Sequence, residues 1–463
     1  MITDRHDAMN LFELLPKLKL EMEPELAELD RLLEDDELFQ RVKADLSRRY
    51  PNSVLRGRHS TPVEVILRML VVRRLYDWSY EETERFVSDS LVLRQFCRLY
   101  LQPAPHHTTL IKWAGLIDPK TLELLNEHVV QLARSLKVTR GRKLRTDGTV
   151  VETAIHHPSD SSLLNDGVRV LSRVIGRARG VVGAVVQAGK ELFRDRTRSA
   201  KKLAHQIGEA ARRRGEEAER ARQAAYERLI GVAEATLKQA RVVRDHLVQV
   251  AKGVAERLVG QIDRFLPLVE QVVSQTRRRV LEGDAVPAAE KLVSIFEPHT
   301  AVIRRDKFGR PNEFGRKVWV DEVDGGIVSD YRILAGNPTD ASQALPSLKE
   351  HRRRFGRPPD LFAGDRGVYS PQAEQAAREM GVRRVVLPKP GHKSPERQRH
   401  ERQGWFRRGR RFRAGSEGRI SVLKRRGYLG RCPDHGEAGF ERWVGWGVLT
   451  ANLDTIARTV ATR

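Results

Sequence analysis

Along the first third of the chain apolar residues recur every three or four positions, and the helices this period predicts are marked by capping residues as well. Residues 1–57 mix acids with Leu11, Leu14, Leu15 and Leu18 at helical spacing, which predicts a helical lead-in. From Arg58 the signals sharpen. Thr61 and Pro62 suit a helix start, with Pro at the first helical position, and Val63, Ile66, Leu67, Leu70, Val71 and Leu75 form an apolar stripe. Ser79 with Glu82 makes a capping box for a second helix carrying Phe86, Val87 and Leu91. After Pro103 and Pro105, Thr108 or Thr109 is expected to cap a third, running through Leu110 and Trp113. Short helices joined by tight turns fit a helix-turn-helix DNA reader, and from pattern alone they fit any small helical bundle equally well.

At Lys143 the pattern changes to a strand-like run broken at Asp147-Gly148, a pair that by itself predicts a hairpin turn. Residues 168–297 are long, charged and strand-poor. Within them Leu247, Val250, Val254, Leu258, Ile262, Phe265, Val269 and Val272 predict an amphipathic helix, which Pro267 should kink or interrupt. The triplets Arg212 to Arg214 and Arg277 to Arg279 more commonly mark solvated helix faces than DNA contacts. Strands resume at Lys317, where KVWVDEV, the turn Asp324-Gly325-Gly326 and IVSDYRIL predict a hairpin. A loop at Asn337-Pro338 leads to a helix from Asp340 to His351, a strand from Asp360 to Ala363, a helix over 371–380 and a strand from Arg383 to Leu387. Lys389 to Arg413 read as a Pro-, Gly- and Arg-rich loop before a helix bearing Glu417, and WVGWGVLTANLDTIAR is a closing helix packed on the core. The class is α/β. More than two hundred positions separate Asp147 from Asp365, far more than two strands and a helix need, so the helical block is read as an insertion after the first strand.

Charge narrows the partners. Lys plus Arg total 84 against 61 acids, a formal charge of +23. Such an excess favours a polyanion, because each neutralised phosphate releases counterions. It separates neither DNA from RNA nor an enzyme from a packaging protein. Cys97 and Cys432 are too few for a disulfide framework, and a reducing cytoplasm is expected. No stretch approaches membrane-spanning length and the first residues lack an export pattern, so a soluble, unexported protein is expected.

Three acids become candidates for chemistry. Glu417 follows Arg413 by four positions and precedes Lys424 by seven, so all three fall near one helix face. Ile420 and Leu423 share that stripe, and exposed helices often carry such charges as a solvated face. Asp147 and Asp365 sit where strands are expected to end. For Asp365 this is the carboxyl end, where open α/β sheets present their chemistry, although a plain loop acid between Gly364 and Gly367 is the alternative. Asp160 and Asp166 rank below Asp147. Carboxylates from distant points of a basic chain suggest a cage for divalent ions acting on a phosphodiester. His106 and His107 have no companions at zinc spacing, so a structural or surface role is expected. Trp405, Arg407, Arg408 and Arg410 interleave cations with an aromatic ring, which suits phosphate contact and base stacking, with a disordered basic linker as the alternative.

Together these residues resemble the DDE transposases of bacterial insertion sequences. Arg413-(3)-Glu417-(6)-Lys424 matches the R(3)E(6)K part of the signature around the third acid. Arg410 stands where the family usually carries a tyrosine, and that tyrosine's phosphate contact would then fall to a guanidinium. TPVEVILRMLVVRRLYDWSYEETERFVSDS and SLLNDGVRVLSR are similar to family segments, and the resemblance spans most of the chain except the inserted block. It implies an RNase H-like catalytic core (141–167 and 298–463, with a basic loop over 389–413), an N-terminal helical domain holding DNA ends (1–140) and a helical insertion after the first core strand (168–297). It also implies Asp147, Asp365 and Glu417 as catalytic, metal-holding residues, Mg²⁺ as cofactor with Mn²⁺ as a substitute, and Arg413 and Lys424 on phosphates of the transposon end. The implied activity is cleavage at transposon ends and strand transfer into target DNA, by a homodimer in the DNA complex of a prokaryotic, nucleoid-associated protein with no membrane partner. An RNase H-like nuclease and a silenced transposase acting as a repressor remain alternatives.

Overall fold

The computed structural model describes residues 21–48, 61–182, 190–250, 253–304 and 312–463; the leucines of the lead-in, Leu11 to Leu18, lie outside the described residues. Among the described residues seven helices precede the first strand: α1 (Pro24–Leu32), α2 (Asp36–Ser47), α3 (Val63–Leu75), α4 (Tyr80–Asp89), α5 (Leu91–Phe96), α6 (His107–Ala114) and α7 (Pro119–Ser135). Their starts follow from local chemistry. Asp35 and Ser90 cap α2 and α5, Asp118 caps α7 with Pro119 in the first turn, and Ser79 and Glu82 form the expected reciprocal box on α4. The cap of α6 is His106, whose ring accepts from the Thr108 N–H, in place of the expected threonine.

The α3 helix departs most from its pattern. Its stripe predicts one buried face, yet Val65 through Arg74 are all buried, Arg68, Arg73 and Arg74 among them. Buried guanidiniums need partners. Arg68 donates to the Asp30 carboxylate and, at 3.1 Å, to the Phe96 carbonyl. Arg74 donates to the Tyr428 carbonyl at 2.5 Å and lies 3.4 Å from the Trp443 ring centroid; burial pulls it down to about 9. These helices share one continuous apolar cluster with sheet residues Leu144, Trp319 and Phe362.

Next comes β1 (Lys143–Glu152), then a helical bundle of α8 (Asp160–Val182), α9 (Thr197–Ala210), α10 (Glu216–Val250) and α11 (Val254–Thr276), with a π turn over Arg277–Leu281. The bundle has an apolar cluster of its own. The stripe from Leu247 to Val272 belongs to two helices parted at Gly253 (φ +70°), and α11 runs on through Pro267 without interruption. Ion pairs Arg241–Glu270, Arg244–Asp263 and Glu234–Arg277 cross between α10 and the antiparallel chain from α11 into the π turn, and Ile262, Val269 and Val272 are buried, so packing outweighs the hydrogen bond that proline forfeits.

The remaining elements are β2 (Ala301–Arg304), β3 (Asn312–Val323), β4 (Ile327–Ile333), α12 (Ala344–Phe355), β5 (Leu361–Ala363), α13 (Pro371–Glu379), β6 (Arg384–Val386), α14 (Pro395–Arg402), α15 (Gly404–Arg425) and α16 (Glu437–Ala461). The strands make one mixed sheet in the order β2-β3-β1-β5-β6, with β4 also on β3. Because β3 is 12 residues long, β2 and β4 pair with different halves of it. β3 and β4 form the expected hairpin, and the Asp324 carboxylate in its turn accepts backbone N–H groups of Arg140, Arg142 and Lys143, which pins the start of β1.

Two expectations fail here. Asp147-Gly148 is no turn or strand end: β1 runs straight through it, paired there with β3, while β5 pairs with the start of β1 up to Arg145. Gly148 is extended, and its missing side chain leaves room for Trp319 and Lys317, since a Cβ there would come within 3.0 Å of Lys317 Cε. The expected basic loop over 389–413 is mostly helix, α14 then α15. Ser394 caps α14 with Pro395 in its first turn, and α15 buries Phe406, Gly409, Ser416 and Leu423, a helical period carried partly by small residues.

Candidate active site

Register builds the site. Parallel pairing sets Leu144 opposite Phe362 and Arg145 opposite Ala363, and Asp147 and Asp365 each stand two residues beyond that last pair. Neighbouring strands lie about 4.8 Å apart, so Asp147 within β1 and Asp365, just past the end of β5, come together at equal height. Arg413 closes the group from α15. Its Nη2 lies 3.0 Å from Asp147 Oδ2 and 3.8 Å from Asp365 Oδ2.

Electrostatics mark Asp147 as the strained member. Its side chain is only 15% exposed. Burial pushes the carboxyl up and the Asp365 charge adds to this; Arg413 and the Gly148 N–H pull the other way, leaving it at about 6. Asp365 is more open and accepts the Val368 N–H at 3.0 Å. Asp340, in a short 3-10 turn before α12, is a third carboxylate at the site that sequence reasoning missed. It pairs with Lys317 at 2.5 Å, its Oδ2 and Asp365 Oδ1 both stand beside Gly367, and its charge also raises Asp147. Its only sequence signal was an acid opening a helix.

Several contacts seat α15 on the sheet. Arg145, which points to the same face as Asp147, makes a two-pronged pair with Glu322 (2.9 and 2.6 Å) and donates to the Phe412 carbonyl at 2.6 Å. Lys424 donates to the Val150 carbonyl at 2.8 Å, about three helical turns beyond Arg413. Gly409 and Gly415 permit the close approach: a Cβ would meet Val386 Cγ2 at 2.4 Å or Arg145 Nη1 at 2.4 Å. Gly409→Ala should therefore lift α15 from β6, costing about 1–3 kcal/mol of stability. Misplacing Arg413 should slow any chemistry at the acids on the order of 10²-fold. Thermal melts and a cleavage assay test this; an unchanged melt and rate would show that the glycine is incidental.

Not every expected residue joins the site. The Glu417 backbone lies in α15 one turn beyond Arg413, and its side chain lies outside the described residues. Arg407, Arg408 and Arg410 are exposed along α15. Trp405 is half-buried, its ring set edge-on to Phe406 and His400. Asp160 pairs with Arg279 and Asp166 with Arg169 in the helical bundle. His107 does have a companion, Glu84, whose Oε2 accepts its backbone N–H at 2.7 Å and meets Nδ1 at 2.8 Å, tying α6 to α4.

The molecule is thus a mixed α/β protein presenting paired carboxylates and a guanidinium at adjacent parallel strands. A family model described as a transposase domain (DUF772) matches residues 13–115, the segment that includes α1 to α6, and supports a transposase. No curated protein and no solved structure matches the chain. Among the described residues no helix is long and apolar enough to cross a membrane.

Proposed function

We propose that the chain is a DDE transposase that cuts DNA at transposon ends and joins the freed 3′ ends to target DNA. The observation that carries this reading is the meeting of Asp147 and Asp365, from distant parts of the sequence, under Arg413, the residue one helical turn before Glu417. The strand order supports an RNase H-like core: an antiparallel β4-β3-β1 group continued by parallel β5 and β6, with α15 across the acids.

The donor set fits a hard divalent ion, since two crowded carboxylates offer only oxygen and the carboxyl of Asp147 is raised to about 6 by burial and its like-charged neighbour, a cost that a bound cation would relieve. Asp147, Asp365 and Glu417 would hold Mg²⁺, or Mn²⁺ in its place. Bound there, the ion would supply Lewis acidity toward the phosphate and lower the pKa of the attacking water or 3′-hydroxyl. The chain's own groups do the rest. Arg413, already beside both carboxylates, is placed to meet phosphate charge, and the exposed Arg407, Arg408 and Arg410 extend that cationic surface along α15. Lys424 holds α15 to β1 and so keeps Arg413 in register.

Purified protein incubated with Mg²⁺ and DNA carrying the element's flanking inverted repeats tests the reading. Cutting confined to those ends and abolished by EDTA supports it. Cutting without regard to sequence favours an RNase H-like nuclease, and binding without cutting favours a repressor.

A further inference from the structure

We infer that the outward face of α8, the first helix of the bundle, is a contact surface for the phosphate backbone of duplex DNA. This rests on the reading of the chain as a DNA-processing protein, and it gives the bundle a role which that reading leaves open. Charge is divided unevenly between the helices of the bundle. On α10 four of the five arginines are answered by acids, in Arg220–Glu216, Arg222–Glu219, Arg241–Glu270 and Arg244–Asp263. On α8 they are not. After Asp166, which takes Arg169, the helix has no acid, and Arg173, Arg177 and Arg179 are exposed with no ion pair among the described residues.

The geometry of the face suits a nucleic-acid backbone. Arg173 and Arg177 are one turn apart, about 6 Å along the axis, against a duplex carrying one charge per roughly 1.7 Å. Gly176 and Gly180 lie on the same side with nothing within 4 Å of where a Cβ would be, so the surface between the cations is low. The inward face is locked, since Val170, Leu171, Val174, Ile175 and Ala178 are buried in the bundle core. That burial leaves α8 no apolar side to lay into a lipid surface, which separates it from a membrane-binding basic helix. Such contacts would be independent of base sequence and would hold flanking duplex while the acids act at the end.

Binding of the full-length protein to a random-sequence duplex of about 30 base pairs, followed by fluorescence anisotropy from roughly 50 to 200 mM salt, tests the surface. The double variant R173A/R177A should lower the slope of log K against log salt by about 1.8, because each phosphate contact contributes about 0.9. Affinity at low salt should fall severalfold. The control R220A/R222A removes equal charge from acid-paired positions on α10 and should leave both unchanged. A slope unaltered in R173A/R177A, or lowered equally in the control, overturns the inference. The catalytic reading stands or falls separately: a chain that binds through these arginines without metal-dependent cutting keeps the surface, and one that cuts with an unaltered slope loses it.

Discussion

Asp147→Asn is expected to abolish metal-dependent DNA cleavage while raising the melting temperature of the metal-free protein at pH 8. Both effects come from one carboxylate. As an ion ligand it contributes several kcal/mol to stabilising the transition state, so its loss should cost on the order of 10³-fold in rate or more. As a buried charge it destabilises the fold. Its carboxyl is raised from 3.8 to about 6, first by burial and then by Asp365, despite Arg413. Below pH 3.8 both folded and unfolded chains hold the proton and the group is neutral in its effect. Between 3.8 and about 6 the unfolded chain releases its proton first, so rising pH lowers stability, and above about 6 the penalty is complete at about 3 kcal/mol. Asparagine escapes this cost, so the gain in melting temperature should be present at pH 8 and absent at pH 4. Mg²⁺ should stabilise the wild type and not the variant. A variant that melts below wild type at both pH values, or still cleaves, would remove Asp147 from the metal site.

Gly447→Ala should produce the largest loss of stability among single methyl additions, at least about 3 kcal/mol, beyond ordinary overpacking. Gly447 lies in α16, where a Cβ would come within 1.8 Å of the Tyr428 carbonyl oxygen and 2.8 Å of Arg74 Nη2. Neither neighbour can yield cheaply. The Tyr428 carbonyl belongs to the segment that follows α15 and is already held by Arg74 at 2.5 Å, with Arg74 itself stacked on Trp443. The substitution therefore forces apart α3, α16 and the end of α15. Denaturant unfolding of Gly447→Ala beside Gly418→Ala is the comparison. Gly418 faces open space on α15, so alanine there should be neutral or slightly stabilising through helix propensity. Equal midpoints for the two variants would show that α16 can shift away at little cost.

The same contrast between glycines explains which features were legible in the sequence. The hairpin at Asp324-Gly325-Gly326, the capping box at Ser79 and Glu82, and the helices and strands from Asp340 to Leu387 declare themselves locally, through period and turn chemistry. The α15 helix does not, because its buried face uses Gly409, Arg413 and Ser416 beside Phe406 and Leu423, and small or charged residues carry no hydrophobic period. Asp147-Gly148 reads as a turn for a similar reason: the pair has turn propensity, and only the β3 residues opposite it, Val320 and Trp319, override that.

By itself the amino-acid sequence determined the α/β class, most element positions and the basic character, and it singled out three acids, Asp147, Asp365 and Glu417, since period, caps and charge act over a few residues. The tertiary structure alone decided that Asp147 and Asp365 share a register, that Arg413 bridges them, that Asp340 stands close by, and that α3 is buried on every side. Those relations depend on strand pairing and helix packing between segments far apart in the chain, and no local pattern encodes which distant residue a side chain will meet.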